Sequence, residues 1–283
     1  MANLKEIRSR ISSVSSTMKI TSAMKMVSAA KLKKAQNRMM NIKPYSLGLS
    51  TMIQNLLPSI SLSEIKLVNS FCAESKVLII PITSNRGLCG GFNANVFKAS
   101  KQYDPSKVEV FAIGKKSTEM FKRNNYNIIS NDVDVLNKAS LSNCRNISEK
   151  IIHDFLDGKW SRVEIIYNKF KNTATQVLQK EQLLPIKIEN QSEVTNRKDY
   201  IFEPEKGTII NDLVPNKIHT QFFEAILNSI ASEHGARMTA MHKATDNANE
   251  LKQNLTLSYN RQRQAAITSE ILEIVAGAEA LKG

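Results

Sequence analysis

Apolar residues near the N-terminus recur at helical spacing. The stripe consists of residues separated alternately by three and four positions, resuming once after a shift: Leu4, Ile7, Ile11, Val14, Met18 and Thr21, then Leu32, Ala35, Met39 and Ile42. Because these positions share one narrow helix face, the spacing predicts a coiled-coil seam. No Pro or Gly precedes Pro44, which is a possible kink or stop, and we expect the first helical segment to occupy residues 1–57.

The C-terminal residues 216–283 repeat the pattern and contain no Pro. Their two seams are Met241, Ala244, Ala248, Leu251 and Leu255, then Ile267, Ile271, Ile274, Ala278 and Leu281. Each stripe is too narrow for a globular core and too apolar to face water, so we predict that the two terminal helices cover each other as a long antiparallel coiled coil. At 1.5 Å per residue, a helix of about 65 residues is about 100 Å long and is expected to project from the rest of the chain.

Between these segments, short apolar runs alternate with helical intervals. The strand candidates are Val77–Ile82, Val108–Ile113, Val163–Tyr167 and Gln176–Leu184, and the helix candidates are Ala94–Tyr103, Lys115–Asn124 and Lys138–Asp157. Strand, helix and strand in succession predict an α/β domain, which we place at residues 75–205.

Composition excludes some protein classes, and charge suggests a class of partner. The 283 residues are 42% apolar, and no apolar run is long enough to span a bilayer, so we expect neither a disordered nor an integral membrane protein. Residues 1–43 hold ten Lys/Arg and one Glu, a net charge of +9 out of +13 for the chain. The partner of this segment is therefore expected to be anionic: nucleic acid, anionic lipid, an import receptor or an acidic protein surface.

Two of these partner classes have specific sequence signals. Residues 1–43 contain no aromatic side chain, which disfavours binding to single-stranded nucleic acid. The Ser-rich, acid-poor helix also resembles a mitochondrial transit peptide. Three cysteines without a CxxC pair favour a reducing compartment.

One segment has the composition of a chemical site. It is Thr83 to Asn93, with the sequence TSNRGLCGGFN, after the first strand candidate. Its glycines before a helix suit a phosphate loop, but neither established phosphate-loop motif is complete. Gly87 to Gly91 also matches the thiol form of a nucleophile elbow, which requires a histidine from among His153, His219, His234 and His242. The third interpretation is structural, with Cys89 as a small packed side chain.

Four blocks of this sequence identify a resemblance. They are ITSAMKMVSA at residues 20–29, SNRGLCGGFN at 84–93, SEHGARMTAM with ATDNA at 232–248, and NRQRQAAITSEI with EIVAGA at 260–278. In this order and over the whole chain, they resemble the gamma subunit of bacterial and mitochondrial F-type ATP synthases. Gly235 and its neighbour His234 depart from the usual pattern and are expected to soften the helix locally.

The resemblance implies a rotor subunit that performs no chemistry itself. The terminal helices would form a shaft inside a ring of three alpha and three beta subunits, and a central Rossmann-like α/β domain would meet the epsilon subunit and the membrane c-ring. Rotation would couple transmembrane proton flow to ATP synthesis or hydrolysis. The resemblance implies no catalytic residue, metal, cofactor, nucleic acid or membrane span. The alternative is a thiol hydrolase or nucleotide-binding enzyme that uses the Gly87–Gly91 loop.

The resemblance also implies contact residues and a location. Candidate contacts to the alpha/beta ring are Met24, Lys25, Lys31, Lys33, Lys34, Arg261, Gln262, Gln264, Thr268 and Glu270. Candidate foot elements are Arg86, Gly87, Leu88, Cys89, Gly90, Gly91, Tyr200, Phe202 and Glu203. The expected location is the cytoplasmic face of the bacterial inner membrane, favoured over the mitochondrial matrix because no leader precedes Met1.

Overall fold

The computed structural model describes residues 4–56, 67, 76–186, 203 and 206–280. The elements in chain order are α1 (Leu4–Leu56), β1 (Lys76–Pro81), α2 (Phe92–Ser100), β2 (Val108–Ile113), α3 (Lys115–Arg123), β3 (Asn127–Asp132), α4 (Leu141–Leu156), β4 (Trp160–Phe170), β5 (Gln176–Leu184) and α5 (Lys206–Ala280). The chain divides into a terminal unit (Met1–Val27 with Met238–Gly283) and a central unit (Ser28–Arg237). Within the described ranges, no helix has an apolar stretch sufficient to cross a bilayer.

The terminal unit pairs the first part of α1 with α5. The predicted α1 seam is buried or half-buried at every position from Leu4 to Thr21, whereas the residues between these positions are almost all exposed. Thr21 Oγ1 lies 2.8 Å from Thr245 Oγ1, which joins the two helices by a hydrogen bond across the seam. The sequence periodicity therefore identified the face that α1 buries.

The last part of α5 departs from the prediction. Every residue from Ile267 to Ala280 is exposed, so Ile267, Ile271, Ile274 and Ala278 do not form a seam with α1; Leu281 lies outside the described residues. Leu251 in the first seam is also 50% exposed. The antiparallel register accounts for the exposure of the residues after Gln262. Because Thr21 lies opposite Thr245, Leu4, 17 residues before Thr21, lies near the level of Gln262, 17 residues after Thr245. The described part of α1 begins at Leu4 and therefore does not cover the residues of α5 that follow Gln262.

The central unit contains a five-stranded sheet in the order β3-β2-β1-β4-β5. The first four strands are parallel, and β5 is antiparallel to β4. All four predicted strands are present, with β4 extended to Phe170. This confirms the α/β class, and the reversal of strand order beside β1 is the doubly wound arrangement.

The sequence reasoning missed β3. Its sequence, NIISND, is mostly polar, and its side chains are exposed or half-buried. Within the described part of the chain, β3 is an edge strand that pairs with β2 alone, so it has no apolar run of the kind that revealed the other strands.

Alternation along the strands forms two cores. Ile79 on β1 packs into a cluster with Phe97 and Phe121 from α2 and α3. Leu78 and Ile80 point to the opposite face, where α4, α5 and the end of α1 supply the other partners. On that face α1 and α5 are antiparallel, since Ala35 packs in one cluster with Ala231, and Leu49 lines the same cavity as Thr220.

Both long helices continue through a proline. Pro44 lies within α1 and Pro215 within α5, which begins at Lys206, ten residues before the predicted start at 216. An internal proline costs about 3 kcal/mol. Fully buried Val214 and Ile218 anchor α5 on both sides of Pro215, so tertiary packing outweighs the local penalty.

Candidate functional site

The segment from Ser84 to Asn93 forms a closed turn at the carboxyl end of β1. Its centre is Ser84, whose backbone N–H donates to Asn93 Oδ1 at 2.9 Å and whose hydroxyl donates to the Arg86 carbonyl at 2.6 Å. The Asn93 amide also donates to Cys89 Sγ at 3.3 Å. The turn is thus filled by its own side chains and leads directly into α2.

Two residues of the turn have left-handed backbone conformations. Gly90 has φ of +58°, which a glycine adopts without steric cost. Leu88 has φ of +63°, which is rare for a residue with a branched side chain, and its side chain is 63% exposed. The fold therefore presents an apolar side chain to the exterior at a backbone position that costs free energy, a combination found at functional surfaces.

Arg237 on α5 fixes the turn to the helix. Its Nη2 donates to the carbonyls of Arg86 at 3.0 Å and Gly87 at 3.2 Å, and Nε donates to the same Gly87 carbonyl at 3.3 Å. Nη1 forms an ion pair of 2.6 Å with Glu233. Burial raises the pKa of Glu233, and the adjacent Arg237 charge opposes this rise. The guanidinium thus joins two segments about 150 residues apart in the chain.

Gly235, between these two residues, has a packing role. A Cβ at this position would lie 3.3 Å from the Phe170 ring and 3.5 Å from the Thr173 carbonyl oxygen. Glycine therefore allows α5 to approach the β4–β5 connection closely, which accounts for the departure noted in the sequence.

The geometry gives no support to the enzymatic interpretations. Cys89 is buried at 2% exposure, and burial raises the pKa of its thiol, which disfavours the nucleophilic thiolate. Among the described residues, no histidine forms a hydrogen bond or ion pair with Cys89: His219 pairs with Ser148, His234 with Arg237, and His153 and His242 each with the aspartate four residues further along the chain. The structural interpretation of Cys89 agrees with these contacts.

The predicted contact residues on α1 differ in exposure. Met24 and Lys25 are half-buried beside the seam of the terminal unit. Lys31, Lys33 and Lys34 are exposed on the part of α1 within the central unit.

The predicted contact residues on α5 lie in the terminal unit. Gln262 is half-buried, and Arg261, Gln264, Thr268 and Glu270 are exposed. Among the candidate foot elements, Arg86, Gly87, Leu88, Gly90 and Gly91 are exposed, as is Glu203, whereas Tyr200 and Phe202 lie outside the described residues.

Arg237 and Glu233 were absent from the predicted site. Their spacing of four residues on a helix is typical of an ion pair and was visible in the sequence. Nothing in the sequence connected that pair with the Gly87 turn, because this contact depends on the tertiary fold.

Comparison with known proteins gives matches over most or all of the chain. A sequence model of the ATP synthase family matches residues 3–281. The ATP synthase gamma chain of Flavobacterium psychrophilum is 51% identical, and that of Christiangramia forsetii is 48% identical, with full coverage of both chains in each case. A central-stalk and c-ring structure of the Tetrahymena thermophila mitochondrial ATP synthase is similar with a TM-score of 0.60 and 25% identity, over 80% of this chain and 99% of that one. A chain of the Euglena gracilis mitochondrial ATP synthase has the same fold, with a TM-score of 0.69 and 19% identity over 98% and 94% of the two chains.

Proposed function

The chain belongs to the ATP synthase gamma chain family, and on that premise we propose that it is the central-stalk rotor subunit of an F-type ATP synthase. It rotates inside a ring of three alpha and three beta subunits and couples transmembrane proton flow to ATP synthesis or hydrolysis. The observation that carries the proposal is 51% identity over the whole chain to a gamma chain from Flavobacterium psychrophilum.

The exposed end of α5 supports insertion into a ring. Five large apolar side chains there are between 47% and 70% exposed: Ile267, Ile271, Leu272, Ile274 and Val275. Several exposed apolar side chains along one helix segment are a feature of interaction sites. In the proposal, the ring covers the part of α5 that lies beyond the start of α1.

Polar and cationic groups extend the proposed ring contact. Lys31, Lys33 and Lys34 are exposed, and no acidic residue occurs between Glu6 and Lys43. An acidic inner surface on the beta subunits would complement this charge. The proposed ring contacts also include Met24 and Lys25 on α1 and Arg261, Gln262, Gln264, Thr268 and Glu270 on α5.

The turn from Arg86 to Gly91, together with Tyr200, Phe202 and Glu203, forms the proposed foot surface toward the epsilon subunit and the c-ring. Exposed Leu88 is its apolar contact. Because Arg237 holds the carbonyls of Arg86 and Gly87, a load on this turn passes directly to α5.

The domain limits remain predictions: shaft helices at 1–57 and 216–283, and an α/β foot at 75–205.

The subunit acts without making or breaking a covalent bond. A shaft that is asymmetric within a nearly threefold ring contacts each beta subunit differently, so its angle favours open or closed catalytic sites. In thermodynamic terms, the shaft is a ligand with differential affinity for those states. It is a peripheral subunit, and we place it at the cytoplasmic face of the bacterial inner membrane, with the mitochondrial matrix as the alternative.

Reconstitution tests the proposal. The purified full chain should show no turnover, and after mixing with alpha and beta subunits it should elute with them as one complex with ATPase activity. Ile274→Ser should weaken that complex, whereas the neighbouring variant Glu273→Gln should leave it intact. Failure to join the complex would refute the rotor assignment. Turnover by the isolated chain that is lost in Cys89→Ser would instead support the thiol-enzyme alternative.

A further inference from the structure

The central unit contains a basic cleft, whose lining includes Lys31, Lys34 and Arg86 from the proposed contact surfaces. Its volume is about 320 Å³, and its walls come from α1, the turn that follows β1, the segment before α4, and α5. The charged groups that line it are Lys31, Lys34, Arg38, Arg86, Arg237 and Glu233. Small-molecule sites in proteins usually have volumes of about 300 to 1,000 Å³, so this space suits a small ligand.

The charges of the basic cleft do not balance. Of the described residues that line it, Glu233 is the one with a carboxylate, and this group is already paired with Arg237 at 2.6 Å. Among the described residues, none of the ion pairs involves the other four cations, Lys31, Lys34, Arg38 and Arg86. Four positive charges around one space repel each other, and a bound anion would remove this repulsion.

Several polar groups around the basic cleft are held in place. Arg38 Nη1 donates to the Ala139 carbonyl at 3.0 Å, which fixes the guanidinium against the segment before α4. The Asn85 amide donates to the Val133 carbonyl at 2.8 Å, and its Oδ1 accepts from the Lys115 N–H at 3.0 Å. Groups oriented before binding lose little conformational entropy when a ligand arrives.

The pKa of His234 depends on the positive charges of the cleft. Burial, followed by the charges of Arg237 and Lys31, lowers the pKa of His234 to about 4. Its imidazole is therefore neutral near pH 7, although Glu233 lies beside it. Neutral His234 adds no positive charge, but its pKa responds to any anion that enters.

We propose that the basic cleft binds a phosphate group, either inorganic phosphate or the phosphate end of a nucleotide. Cations that converge from separate elements suit a tetrahedral oxyanion with several acceptor oxygens, and guanidinium groups such as that of Arg38 bind phosphate through paired N–H donors. The cleft volume is small for a folded partner segment and sufficient for a phosphate or diphosphate.

Calorimetric titration of the isolated full chain tests this site. The probes are inorganic phosphate, pyrophosphate and ADP, each at constant ionic strength adjusted with chloride. We expect saturable binding of one ligand per chain and a rise in the pKa of His234, followed by NMR of its imidazole. Lys34→Gln and Arg38→Gln should each weaken binding about tenfold, the loss of one charge-assisted hydrogen bond.

Lys33→Gln is the matched control, since Lys33 is exposed on the same helix but does not line the basic cleft. It should bind the probes as the unmodified chain does. Equal weakening of probe binding in this control overturns the proposal, and so does a lack of saturable probe binding at constant ionic strength. Binding of an acidic peptide by a chain that binds none of the probes also overturns it. Binding of phosphate identifies the free anion as ligand, and binding of ADP alone identifies a nucleotide. Because the titration uses the isolated chain, its outcome is independent of ring assembly.

Discussion

Replacing Arg237 with Met should destabilise the central unit strongly. Only 8% of the Arg237 side chain and 13% of the Glu233 side chain are exposed, so the substitution leaves a buried carboxylate without its partner. Removing one member of a buried ion pair costs about 3–5 kcal/mol of unfolding free energy. The carbonyls of Arg86 and Gly87 also lose their donor, so we expect the upper part of that range.

A double substitution separates the charge from the other contacts. Replacing a whole buried pair with apolar residues of similar volume is often neutral, so Glu233→Met combined with Arg237→Met restores the charge balance. The two carbonyls remain without a donor and keep a cost of about 1–3 kcal/mol. The double variant should therefore be more stable than Arg237→Met alone by about 2 kcal/mol.

Urea unfolding followed by tryptophan fluorescence measures these differences. Trp160 is the single tryptophan of the chain and is buried in the central unit, so its emission reports on that unit. Arg86→Met is the control, because its exposed side chain should change the unfolding free energy by less than about 0.5 kcal/mol. If the double variant proved less stable than Arg237→Met, the assignment of the loss to the uncompensated Glu233 charge would be wrong.

Three further predictions concern other parts of the chain. Gly114→Ala should lower the unfolding free energy by about 3 kcal/mol or more, because φ is +94° and the new Cβ would lie 2.5 Å from the Thr83 carbonyl oxygen. Gly90→Ala, at φ of +58° with open space around the new Cβ, should lower it by about 1 kcal/mol. The urea unfolding midpoints of the two variants test this difference. Burial lowers the pKa of His219 below its ordinary 6.5, so the unfolded chain binds the proton more readily and the unfolding free energy should fall as the pH drops below about 6.5. In urea titrations at several pH values, His219→Gln should reduce this pH dependence. An unchanged pH dependence would exclude His219 as its source. Ile274→Ser should change the unfolding free energy of the isolated chain by less than about 0.5 kcal/mol, since the side chain is 70% exposed; a larger loss would mean that the chain itself covers this surface.

Local patterns in the sequence were sufficient for most of the secondary structure. The spacing of Leu4 to Thr21 identified a helix face that is buried, and apolar runs identified β1, β2, β4 and β5. The periodicity of apolar residues indicates which face of a helix or strand is buried, so this face can be predicted without knowledge of the element that packs against it. The glycines from Gly87 to Gly91 likewise marked a tight turn, and one of them, Gly90, has the positive φ that favours this residue type.

Tertiary structure decided how these elements meet. Polar β3 is a strand because β2 offers it an edge, and α5 passes through Pro215 because buried neighbours hold both sides. The contact between Arg237 and the Gly87 turn joins residues about 150 positions apart, and the basic cleft brings together cations from three segments. Sequence alone determined which surfaces must be buried; the relative lengths and positions of the elements decided which were covered within the chain and which were left for a partner.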